Sequence, residues 1–107
     1  MIKFMVVLYR KPELSVAQFR QYLGTIHSKL AQHLPGLKLY RQNHVVPDAK
    51  RKHPGWDAIV ELHFENREAM EAAWASPQGA ASDADLPLFA DMTRTTWSVV
   101  DEVTVRE

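Results

Sequence analysis

The chain contains no cysteine. Disulfides, thiolate nucleophiles and sulfur-ligated metal sites are therefore excluded, although this says little about compartment. Charge of one sign is also missing, because 13 Lys and Arg balance 13 Asp and Glu over 107 residues. No electrostatic footprint for nucleic acid or an anionic membrane results, and neither is expected as a partner. No apolar stretch approaches the roughly 20 residues that cross a bilayer. With 4 glycines, no glycine-rich phosphate loop can be drawn, and neither H-E-x-x-H nor a hydrolase triad occurs. Met1-Ile2-Lys3 runs directly into a strand-like segment, without the long apolar region of a signal peptide. The expectation is a soluble, cytoplasmic protein.

What is present is an apolar fraction of 46%, enough for a packed globule. A chain of this length is expected to form one domain over residues 1–107 with a modest core. Ile2 to Tyr9 is rich in β-formers and reads as a strand. Ser15 and Gln18 have capping-box spacing and open a helix that ends near Leu34-Pro35-Gly36. Strands are expected at Leu37–Val46 and Asp57–Phe64, the latter with Ala58, Val60, Leu62 and Phe64 on one face. Between them lies a polar loop with Lys50, Arg51, Lys52 and His53, read as solvated because Asp48 is adjacent. Asn66 can cap a second helix through Trp74. Ser76 to Asp91, interrupted by Pro77 and Pro87, reads as irregular or briefly helical, and Thr95–Val105 as a last strand.

The order β-α-β-β-α-β belongs to the α+β class. Its usual solution is the ferredoxin-like arrangement, a four-stranded antiparallel sheet with both helices on one face. Two helices leave the other sheet face bare. In the first strand that face carries Met5, Val7 and Tyr9, with Lys3 as its plainly polar member. Such a face should be covered, most simply by the same face of a second copy, so a homodimer with stacked sheets is expected.

Within the first helix, Val16, Phe19, Leu23, Ile26 and Leu30 draw one apolar stripe. At helical spacing His27 lies about 55° from the centre of that stripe, at the edge of the buried face. A titratable tip there can meet a cavity as a general acid or base, although a packed histidine bonded to a backbone carbonyl fits the same position. Tyr40 and His44 share a side of the second strand with Lys38 and Gln42, and Tyr40 can approach His27. An imidazole that moves a proton, with a phenol that bonds the oxygen where charge develops, suits a carbonyl compound. Trp74 and Phe89 come from the region expected to cover the helix–sheet cleft, and with His44 are the candidate ligand-binding residues. Each also fits an ordinary core. His27 and His33 are six residues apart and cannot chelate one ion from one helix face, so no metal site is expected.

Several segments together resemble the EthD-type dimeric α/β-barrel proteins. They are Phe19-Arg20-Gln21-Tyr22, Ile26-His27-Ser28-Lys29-Leu30, Pro35-Gly36-Leu37, Tyr40, Glu61-Leu62 with Phe64, and the closing Glu102-Val103. Within that family the chain looks especially similar to the methylmuconolactone methylisomerases, which have a histidine and a tyrosine at the spacing of His27 and Tyr40. The resemblance implies a stacked-sheet dimer, a cleft between helices and sheet, and His27 and Tyr40 as handlers of a lactone-like substrate. Family members usually have proline after the histidine. With Ser28-Lys29 in its place, the helix is expected to run on regularly.

Three functions follow. The leading one is a cofactor-independent enzyme acting on a cyclic or carbonyl small molecule, by isomerase- or lyase-type acid–base chemistry through His27 and Tyr40. The second is a non-catalytic module that binds a hydrophobic small molecule in the same pocket. The third, carried by related barrels of this shape, is heme or radical oxygen chemistry with His27, His44 or His63 as an axial ligand.

Overall fold

The computed structural model describes residues 1–51 and 55–107, so Lys52 and His53 of the basic loop lie outside the described residues. Four strands, β1 (Ile2–Leu8), β2 (Leu37–His44), β3 (Ala58–Phe64) and β4 (Thr96–Val100), form one sheet in the order β2-β3-β1-β4. Every neighbouring pair is antiparallel. This is the expected ferredoxin-like topology. The last strand is shorter than the pattern Thr95–Val105 suggested. Past Val100 the chain leaves the ladder, and Val103 and Val105 are exposed.

Register sorts the sheet into two faces. Val6 pairs with Val60 and Trp97, and Phe4 with Leu62 and Val99, so these residues share the side under the helices. On β2 the register shifts between Leu37 and Leu39. This bulge turns Leu37 inward with Phe64 and leaves Lys38 exposed, contrary to strict alternation. Tyr40, Gln42 and His44 keep the inner side. The opposite face carries Met5, Val7 and Ile59, but also a polar group that β1 alone did not announce. Glu61 lies 3.7 Å from Lys3 and 3.3 Å from the His63 ring, and accepts a bond from Asn43. Lys3 also pairs with Glu102 beyond β4.

The first helix starts as expected, with Ser15 and Gln18 bonded to each other's backbone amides at 3.1 and 2.8 Å. It is not regular. Between α1 (Val16–Gln21) and α2 (Ser28–Ala31), the residues Tyr22–His27 form a π-helical turn. Here hydrogen bonds span five residues rather than four, and the wider turn cancels the drift of a four-residue repeat around a normal helix. The buried face therefore runs through Phe19, Leu23, His27 and Ala31, while Val16 and Ile26 are 55% and 49% exposed. His27, 6% exposed, lies at the centre of the buried face rather than at its edge. Hydroxyls help to hold the widened turn, with Thr25 donating to the Gln21 carbonyl and Ser28 to that of Gly24.

The second helical region is longer than expected. Asn66 caps α3 (Arg67–Ala75) through the Ala69 amide. Ser76 then caps α4 (Pro77–Asp85), and a 3-10 turn follows at Leu86–Leu88. Pro77 occupies the first turn of α4, where its missing N–H costs nothing, so it begins a helix rather than interrupting one. Gly79 lets α4 approach the end of α3, since a β-carbon there would fall 2.4 Å from the Ala73 carbonyl oxygen. That approach places Asp85 under the first helix.

Candidate active site

A cavity of ≈ 580 Å³ lies between the inner sheet face and the helices. Its floor is Phe4, Val6, Val60, Leu62 and Val99, and its roof includes His27, Ala31, Met70 and Trp74. Tyr40 lines it from β2, and Trp97, 56% exposed, lines it from β4. Glu71, Ser82 and Asp83 bring polar atoms to it from α3 and α4.

His27 is held by a group that sequence reasoning missed. Its Nδ1 lies 2.8 Å from Oδ2 of Asp85, which is itself buried. The other oxygen, Oδ1, accepts the Tyr22 hydroxyl at 2.7 Å. A carboxylate accepts, so Nδ1 carries a proton, and in the neutral ring Nε2 then presents the bare lone pair. Among the described residues Nε2 has no hydrogen-bond partner, and the ring borders the cavity. The Phe89 ring packs 4.9 Å from both the His27 and the Tyr22 rings and restrains the pair. Burial, and after it the bond to Asp85, raises the Tyr22 phenol above its ordinary range.

Asp85 could have been found from two signals. Ser76-Pro77 is a cap followed by a helix-starting proline, and nine residues of helix from there end at this acid. A segment that is irregular or only briefly helical gives the carboxylate no fixed place.

Tyr40 is also raised, by burial, against the opposing effect of a hydrogen bond from Gln42. The Gln42 Nε2 donates to Tyr40 Oη at 2.8 Å, and also to the Leu23 carbonyl at 2.9 Å. Oε1 of the same amide lies 3.0 Å from His44 Nε2. Burial, with the nearby Arg20 charge, lowers the His44 pKa and favours its neutral ring.

Of the residues singled out in the sequence, His27, Tyr40 and Trp74 border one cavity. The other two do not border it. His44 stands one residue pair along β2, behind Gln42, and Phe89 is fully buried behind His27 and Tyr22. His63 is on the opposite sheet face with Glu61. Among the described residues no three His, Asp or Glu side chains converge as a metal site would require. In the same residues no helix is long and apolar enough to cross a membrane.

Residues 11–93 match the EthD domain. A crystal structure of an EthD family protein from Bacillus halodurans superposes with TM-score 0.80 at 22% identity, covering 96% of this chain and 100% of the other. A dimeric ferredoxin-like protein from Thermobifida fusca gives 0.68 at 17% identity, covering 92% and 88%. SnoaB, a cofactor-independent oxygenase from Streptomyces nogalater, gives 0.67 at 12% identity, covering 99% and 97%. At these identities the likeness concerns the fold. No curated protein matches the chain.

Proposed function

We infer that this chain, which belongs to the EthD domain family, is a cofactor-independent enzyme that moves a proton on a small cyclic or carbonyl compound. The observation that carries the reading is the orientation of His27. Asp85 fixes the proton on Nδ1 and leaves Nε2 as a base beside a largely apolar cavity that Tyr40 also lines. Nε2 would take the proton from the carbon next to a carbonyl, while the Tyr40 hydroxyl donates to the oxygen on which charge develops. Asp85 stabilises the imidazolium formed in between. Return of the proton to another carbon completes an isomerisation, and loss of a leaving group instead gives a lyase-type outcome. A cofactor-independent oxygenase of the same fold supports small-molecule chemistry in such a scaffold.

The active unit is a homodimer with stacked sheets in this reading. The uncovered sheet face with Met5, Val7 and Ile59 supports it, as does the dimeric state of a neighbour of the same fold.

The test is proton exchange in heavy water, followed by NMR, with 2-tetralone and small lactones as probes. The intact protein should exchange the proton next to the carbonyl, and His27→Gln should lose roughly 10²- to 10⁴-fold in rate. A probe that binds yet keeps all its protons would replace the enzyme reading with a binding module.

A further inference from the structure

Gln42 makes three contacts whose directions can be worked out from one fixed point. A backbone carbonyl only accepts, so the Gln42 atom 2.9 Å from the Leu23 oxygen must be the amide nitrogen. That choice places the amide oxygen against His44 Nε2 at 3.0 Å, so His44 must be protonated there. Its Nδ1 is then a bare acceptor, buried and with no partner among the described residues. The remaining amide hydrogen goes to Tyr40 Oη at 2.8 Å. Tyr40 thus accepts from Gln42, and its own proton must leave the oxygen on another side. Tyr40 lines the cavity, and its ordinary packing would leave that proton undirected.

We propose that Gln42 is a positioning residue that turns the Tyr40 hydroxyl proton into the cavity, so that the site takes a ligand presenting an oxygen acceptor, such as a ketone or lactone carbonyl, to Tyr40. The proposal rests on the reading of this cavity as a small-molecule site. It adds how the donor is aimed and which ligand group faces it. The Leu23 carbonyl that anchors Gln42 lies in the π-helical turn. The turn that centres His27 on the buried face therefore also fixes the orientation of the amide that aims Tyr40.

Two nearly isosteric probes separate this role from plain packing. 2-Acetylnaphthalene carries the acceptor and 2-ethylnaphthalene lacks it, and equilibrium dialysis measures both on the full chain. Gln42→Leu should weaken the ketone about threefold to tenfold, the size of one neutral hydrogen bond, and leave the hydrocarbon unchanged. Gln42→Glu keeps the shape but cannot donate, and should behave alike. In a Tyr40→Phe background neither substitution should weaken the ketone further, because Gln42 acts through Tyr40. Equal losses for both probes, or losses that add to Tyr40→Phe, overturn the proposal while the pocket stands. If neither probe binds the unmodified protein, the small-molecule reading fails, and an ultraviolet phenolate titration decides the Gln42 role alone. The transition missing from Tyr40→Phe should move to higher pH in Gln42→Leu, and an unmoved transition overturns the proposal.

Discussion

Tyr22 and His27, five residues apart on one helix, hold the two oxygens of a single carboxylate at 2.7 and 2.8 Å. On a regular helix that separation turns the side chains roughly 140° apart. The π-helical turn from Tyr22 to His27 brings them to one face. If Asp85 sets the His27 tautomer, Asp85→Asn should cost far more in proton exchange than in stability. An asparagine has one acceptor for two donors, so the ring can turn Nδ1 toward the amide as an acceptor and lose its base at Nε2. Exchange of 2-tetralone should fall about 10²-fold or more. Tyr22→Phe keeps the His27 contact and should lose much less. An exchange rate in Asp85→Asn close to that of the unmodified protein would sink the assignment.

The position of Asp85 depends in turn on helix contact. Gly79→Ala puts a β-carbon against backbone atoms of Ala73 and Trp74, which cannot move aside as a flexible side chain would. Overpacking of this kind costs about 1–3 kcal/mol. For a domain of this size the melting temperature should drop by roughly 4 °C or more per kcal/mol. Because α4 must shift to relieve the clash, proton exchange should fall with it. A variant with unchanged melting and unchanged exchange would show that α4 is not seated as described.

These contacts explain which parts of the molecule were legible in the sequence. Ala58, Val60, Leu62 and Phe64 alternate because one face of β3 is buried under helices, and that period survives in the order of residues. Ser15 with Gln18 and Asn66 with Ala69 are local bonds, readable from short spacing. The π-helical turn was not readable from the stripe, because Val16, Ile26 and Leu30 fit a regular helix well. What decides against them is tertiary: the sheet beneath offers its apolar surface to Leu23, His27 and Ala31 instead. Asp85 and Gln42 escaped for a related reason. Each is anchored by a bond to a residue far along the chain, 58 positions for Asp85 to His27 and 19 for Gln42 to Leu23.

Stability should decline in mild acid through His44. Burial and the Arg20 charge lower its pKa in the folded state, so the unfolded chain takes up the proton first as pH falls. Below about pH 6.5 the unfolded state therefore gains, and the loss continues until the folded ring also titrates. At higher pH both states are neutral at this residue and it adds no slope. His44→Gln removes the titration and should give a flatter melting temperature between pH 7.5 and about 5. An equally steep acid decline in that variant would assign the sensitivity to other groups.

Charge at the cavity should sort ligands. Glu71 and Asp83 border the cavity, and among the described residues no lysine or arginine does so. A carboxylate ligand brought between these acids is repelled, whereas a neutral ketone of the same shape is not. 2-Naphthoate should therefore bind about fivefold to tenfold more weakly than 2-acetylnaphthalene at low salt, as expected for charges that water partly screens. Added salt should narrow the gap, since both acids are exposed. The double substitution Glu71→Gln and Asp83→Asn should narrow it as well, by strengthening naphthoate without changing the ketone. Dialysis that finds naphthoate the tighter ligand would mean that a cation reaches the cavity and outweighs both acids.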